Sequence, residues 1–172
     1  MRKKQILFLL LMIGLLVQIF YISGYAVFAY WNEEKATGAK STEIILNEDE
    51  IEAIELVNAY RVQNGLSKLK ISSELQEVAR IKAEDLVESE YFSHDSLKYG
   101  KTFNIMKDKG VKYKVAGENL AGNISSEKAV EAWINSEVHR ENMLDEEYTY
   151  TALCVIESPI YGKVFVQLFM KI

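Results

Sequence analysis

Gly117-Glu118-Asn119-Leu120-Ala121 closes a short apolar run and sets a carboxylate and an amide side by side directly after a glycine. The only two histidines of the chain bracket it: His94 in Tyr91-Phe92-Ser93-His94, and His139 in Asn135-Ser136-Glu137-Val138-His139-Arg140. We expect the chain to fold so that His94, Glu118 and His139 meet in one cleft. Two imidazoles and a carboxylate have two chemical readings. They suit zinc or another divalent metal, with a coordination position left open. They also suit an acid–base set, in which a glutamate orients a histidine that titrates near neutrality. Spacing does not choose between them, because the three residues form no local metal motif. No nucleophile stands out. Ser93 and Ser136 lie near a histidine in sequence, but neither sits in a nucleophile elbow.

Outward from this stretch, Val111–Val115 alternates apolar and polar residues, which predicts a strand delivering the chain into Gly117-Glu118-Asn119. Before it, Phe103 and Met106 suggest a short helix closed by Gly110. The helix that precedes the His94 segment should start at Ser72 or Ser73. Ser73 with Gln76 has the capping-box spacing, and Leu75, Val78, Ala79, Lys82, Ala83 and Leu86 make its inner stripe. The first helix should run from Asn47 to Asn64-Gly65. Asn47 with Glu50 approximates a capping box, and Ile51, Ile54 and Val57 share a face. After the central stretch, Ser125 or Ser126 caps a helix with Ala129, Val130 and Trp133 inside, ending near Ser136 with His139 directly after it. Tyr148–Ile156 and Lys163–Met170 should pair as an antiparallel hairpin about the Ser158–Gly162 turn, with the Val111–Val115 strand as a third member. Helices followed by mixed strands and helices predict an α+β domain.

The N-terminus is of another kind. Arg2, Lys3 and Lys4 precede an uncharged run from Ile6 to Trp31, long enough for a bilayer, which takes roughly 20 apolar residues. Residues 1–31 read as a signal peptide, with Val27-Phe28-Ala29 as an acceptable cleavage site, or as an uncleaved membrane anchor. Either way, the positive charges before the span place the rest of the chain outside the cytoplasm. Residues 32–47 read as a polar linker. The remainder is about 125 residues, enough for one core. The net charge of −5, with both signs interspersed and no basic stripe, argues against nucleic acid as partner. Cys154 is the only cysteine, so no internal disulfide forms, and its apolar neighbours mark a buried residue rather than a reactive thiol.

Six pieces in order add a resemblance. They are Leu56-Val57-Asn58-x-x-Arg61-x-x-x-Gly65-Leu66; Leu75 with Ala79 and Ala83; Tyr91-Phe92-Ser93-His94; Gly117-Glu118-Asn119-Leu120-Ala121; Ala129-Val130-x-x-Trp133-x-x-Ser136-x-x-His139-Arg140-x-Asn142-Met143-Leu144; and Val166-Gln167-Leu168-Phe169. Together they resemble the CAP superfamily of cysteine-rich secretory, antigen 5 and pathogenesis-related 1 proteins, in its short bacterial SCP-like extracellular form. The resemblance implies an α-β-α sandwich over residues 48–172, with a small central antiparallel sheet flanked by helices. It implies a cleft with two histidines and two acids, which binds a divalent metal in some members. His94, Glu118 and His139 match three of these four. The position of the fourth acid holds Ser136, with Glu137 next to it. Asn58, Arg61, Asn119, Ser136 and Glu137 would support the site. The function implied is an extracytoplasmic binding module for a lipid, peptide or other envelope component. The alternatives are a metal-dependent hydrolase or peptidase with Glu118 as general base, and a structural envelope-assembly protein with a vestigial site. Whether the chain is an enzyme stays open at this point.

Overall fold

The computed structural model describes residues 44–172. The expected leader or anchor, and the linker up to residue 43, lie outside the described residues. Among the described residues no helix is long and apolar enough to cross a membrane.

The first helix, α1 (Glu48–Gln63), opens on the expected capping box: the Asn47 side chain accepts from the Glu50 N–H, and the Glu50 carboxylate accepts from the Asn47 N–H. Glu50 has a second task. Buried completely, it takes the backbone N–H of Val155 at 3.1 Å and ties the start of α1 to the sheet. The inner face differs from the expectation by a fraction of a turn. Ala53, Ile54, Val57, Asn58 and Arg61 are buried, and Ile51 is exposed.

Asn58 shapes the connector after α1. Its side chain takes the Leu69 N–H at 2.8 Å and gives an N–H to the Leu69 carbonyl at 3.2 Å. The connector is thereby held extended, and β1 (Lys70–Ile71) joins the sheet. Helix α2 (Ser73–Glu88) is capped by Ser72, which accepts from the Leu75 N–H. The expected Ser73–Gln76 box does not form, because Gln76 turns to the sheet and bonds both backbone groups of Leu153. A small hairpin, β2 (Asp95–Ser96) with β3 (Gly100–Lys101), leads into α3 (Thr102–Asp108). Then come β4 (Val115–Asn123), α4 (Ser126–Asn135), α5 (Glu137–Leu144), β5 (Tyr150–Ser158) and β6 (Gly162–Lys171).

The main sheet has the order β1-β5-β6-β4. Its three long strands are antiparallel, as expected, but β1 runs parallel to β5, so the sheet is mixed. A second correction concerns β4. The strand begins at Val115, where the expected one ended, and contains Gly117-Glu118-Asn119. The Val111 N–H instead closes the end of α3 on the Met106 carbonyl, and pairing with β6 begins only where the Lys114 N–H donates to the Lys171 carbonyl at 2.8 Å. A third concerns His139, which stands on a helix of its own, α5.

Two apolar clusters sandwich the sheet. One gathers Leu75, Val78, Ala79, Leu86 and Met106 from α2 and α3 against Leu120, Cys154, Val166 and Leu168. The other gathers Ile54, Val57, Val130, Trp133 and Met143 from α1, α4 and α5 against Leu153, Phe165 and Phe169. Burial on both faces accounts for the largely apolar run of β6, where every residue from Val164 to Met170 is buried and Gln167 alone is polar. Cys154 lies in the first cluster, and burial pushes its pKa up to about 12, as befits an inert thiol.

Candidate functional site

Strand side chains alternate between faces, so Glu118 and Asn119, neighbours in sequence, point to opposite layers. Glu118 shares its face with Leu120, toward α2 and α3; Asn119 shares its face with Ala121, toward α4 and α5. Because β4 is an edge strand, both layers can deliver residues to its rim.

On the Glu118 side, the carboxylate is buried and doubly engaged. His94 Nδ1 lies 2.6 Å from Oε1, where the ring N–H donates to the carboxylate, and Thr102 Oγ1 donates to Oε2 at 2.5 Å. The hydrogen bond to Glu118 raises the His94 pKa above its ordinary value, against an opposing pull from burial. His94 itself remains largely exposed, with its side chain at 59%. On the Asn119 side, the amide gives an N–H to the His139 carbonyl at 3.0 Å and accepts from Asn142 at 2.9 Å. Asn142 also donates to the Glu118 carbonyl at 3.2 Å. His139 is half-buried on α5, and burial lowers its pKa, with a further push from the nearby charge of His94.

An open cleft of about 390 Å³ lies over these groups, lined by His94, Lys101, Thr102, Phe103, Gly117, Glu118 and Asn142 among others. Gly117 is required in its wall. A Cβ there would stand 2.5 Å from the Tyr148 hydroxyl and 3.0 Å from Asn142 Oδ1.

The remaining sequence candidates fall into place around this rim. Arg61 reaches the far end of α5, with Nη1 donating to the carbonyls of Met143 at 2.6 Å and Asp145 at 2.9 Å. It therefore supports the helix that bears His139, whereas Asn58 serves β1. Ser136 is the shared cap between α4 and α5, and Glu137 is exposed in the first turn of α5. Neither bonds to His94 or Glu118. Sequence reasoning missed Thr102, which no local pattern signals. It placed Lys82 in an apolar stripe without a task, and a lysine inside such a stripe was itself the signal.

The donor set bears on metal binding. Among the described residues, no three or more His, Cys, Asp or Glu side chains gather in an arrangement able to hold a metal ion. His94 and Glu118 are turned to each other, and His139 comes from the opposite layer.

A model of the cysteine-rich secretory protein family, CAP, matches residues 54–169. This chain belongs to the CAP family. Two curated relatives of the CAP domain come from Bacillus subtilis. Uncharacterized protein YkwD is 38% identical over 138 residues, covering 80% of this chain and 52% of the relative. Uncharacterized membrane protein YlbC is 38% identical over 122 residues, covering 70% of this chain and 35% of the relative. The chain thus spans about half or less of these relatives' length. Among solved structures, an extracellular SCP-domain protein from Bacillus anthracis superposes with a TM-score of 0.67 at 30% identity, covering 72% of this chain and 40% of that one. The CAP domain here therefore has counterparts in bacterial extracellular proteins.

Proposed function

We propose that this protein is an extracytoplasmic binding module whose CAP cleft receives a lipid, a peptide or another small component of the cell envelope. The observation that carries this reading is the commitment of Glu118. Both oxygens already hold hydrogen bonds, one to His94 and one to Thr102. Each oxygen keeps a second lone pair, but these two bonds fix the buried carboxylate against His94 and Thr102, an arrangement suited to shaping the cleft wall. The Thr102 hydroxyl donates to the carboxylate rather than to the imidazole. The groups lining the cleft supply recognition chemistry: the exposed edge of His94, the Asp95 and Lys101 side chains, the Asn142 amide oxygen and the apolar Phe103. A few placed polar groups over an apolar wall characterise ligand pockets. The extracellular and membrane character of the relatives supports the location, and the leader read from residues 1–31 agrees with it.

The test is purification of the wild-type protein and an Ala116→Trp variant, which fills the cleft, from the envelope fraction of expressing cells, followed by native mass spectrometry. A small molecule carried by the wild type and lost from the variant supports the reading. Two empty proteins, together with turnover of a peptide or ester library that vanishes in Glu118→Gln, would overturn it in favour of a hydrolase.

A further inference from the structure

Lys82 is a buried cation beside the cleft that takes no part in the hydrogen bonds around Glu118. It stands on α2, 0% exposed, among buried Leu, Val and Ala residues, with Gln76 and Asp85 the other polar groups on that buried face. Burying an ammonium costs several kcal/mol unless its donors are satisfied. Its three donors have three acceptors, all in the segment after α2. Nζ lies 3.0 Å from the Tyr91 hydroxyl, 2.8 Å from the Ser93 carbonyl and 3.4 Å from the His94 carbonyl. The Tyr91 hydroxyl in turn donates to Asp85, one turn along α2 from Lys82, so the phenol is clamped between two residues of the same helix. The Lys82 ammonium also sits 5.0 Å from the Tyr91 ring centre.

We propose that Lys82 is the positioning residue of the cleft, holding the His94 segment through its backbone carbonyls so that the imidazole is presented to Glu118. The geometry separates cause from consequence. The segment from Tyr91 to His94 has no regular structure, and the His94 ring is mostly exposed, so a single ring-to-carboxylate bond is a weak tether for it. Lys82 grips the successive main-chain carbonyls of Ser93 and His94 from the rigid interior. The loop is seated first, and the His94–Glu118 contact follows from where the loop has been put. The arrangement also explains why α2 tolerates a lysine at a position its periodicity reserves for an apolar side chain.

The experiment uses the full chain with ¹⁵N-labelled histidine. Having only two histidines, it gives one set of ring signals for each. Amide exchange of residues 91–101 is read in parallel by mass spectrometry. Lys82→Met keeps length and packing but removes all three donors. The expected result is loss of the hydrogen-bonded Nδ1–H signature of His94, retention of the His139 signals, and at least tenfold faster exchange across 91–101. His94→Ala supplies the converse and leaves no cavity in the core, because the ring is exposed. It should leave exchange across 91–101 within about twofold of wild type. Should Lys82→Met fold with the His94 signature intact, Lys82 is only a packed cation and the proposal falls. It falls equally if His94→Ala frees the segment, since the ring would then be the tether. Where Lys82→Met does not fold, the His94→Ala result decides alone.

Discussion

Replacing Arg61 by methionine tests whether α5 is held in place from α1. Arg61 is 2% exposed and donates to Ser67 at 3.0 Å, Met143 at 2.6 Å and Asp145 at 2.9 Å, all through backbone carbonyls. Methionine preserves the stem and removes every donor. The Ser67 carbonyl lies in an exposed connector and can turn to water, so only the two bonds at the end of α5 are counted. A hydrogen bond from a charged donor contributes about 1.5–3 kcal/mol, and an orphaned buried carbonyl costs a similar amount. Removing a buried cation returns part of this. The net loss should be ~3–5 kcal/mol. At ~3–5 °C per kcal/mol for a domain of this size, the melting temperature should fall by ~9–25 °C. The assay is urea and thermal unfolding by circular dichroism, joined to the ring signals of the two histidines. His139 should shift, since it rides on α5, and His94, seated from the other layer, should not. A loss below about 1 kcal/mol with His139 unmoved would refute the reasoning, because α5 would then be held by its apolar contacts alone.

The two histidines should give opposite pH dependences. His94 has a raised pKa, so its contribution to stability is fully present below the ordinary value of 6.5 and is lost as pH rises through the raised value. His139 has a lowered pKa, so its contribution is present above 6.5 and is lost as pH falls through the lowered value. Unfolding midpoints at about pH 5 and about pH 8 should show His94→Ala costing more at the acid end and His139→Ala costing more at the alkaline end; parallel curves would contradict both assignments. Calorimetric titration with zinc should show no saturable site that depends on the histidines. One-to-one binding that disappears in the His94→Ala/His139→Ala double variant would refute this expectation.

Much of the fold was legible because it rests on local rules. The Asn47–Glu50 box, the Ala129-Val130-Trp133 face and the β5–β6 hairpin follow from spacing and composition, and the structure has each of them. The misreadings share a cause. Gln76 has the spacing of a capping residue but bonds Leu153, which is 77 positions away. Asn58 is expected to support the site but instead makes β1 possible by bonding Leu69. Val111–Val115 alternates like a strand, yet its first residues close α3. In each case a side chain or backbone group has a local partner and a distant one, or two competing ones, and burial decides which is taken. The site shows the same limit. Its residues could be named from their types and from a family resemblance. Thr102 could not, since its task exists only once α3 is packed against β4.

The edge position of β4 explains why a cleft forms at this place. An unpaired strand edge exposes backbone groups that must be satisfied or shielded. Here they are met by side chains instead of a fifth strand: Trp133 Nε1 donates to the Leu120 carbonyl at 3.0 Å, and Asn142 donates to the Glu118 carbonyl. Both donors come from the α4–α5 layer and cover the rim from one side. From the other side, β3 and α3 bring Lys101, Thr102 and Phe103. The rim is thus closed by two independent layers that meet over Gly117, where the lack of a Cβ leaves room for Tyr148 and Asn142. A fifth strand would have buried Glu118 beyond the reach of any ligand. Side-chain capping satisfies the edge and still leaves the His94–Glu118 pair beside solvent, which is the condition a binding cleft requires.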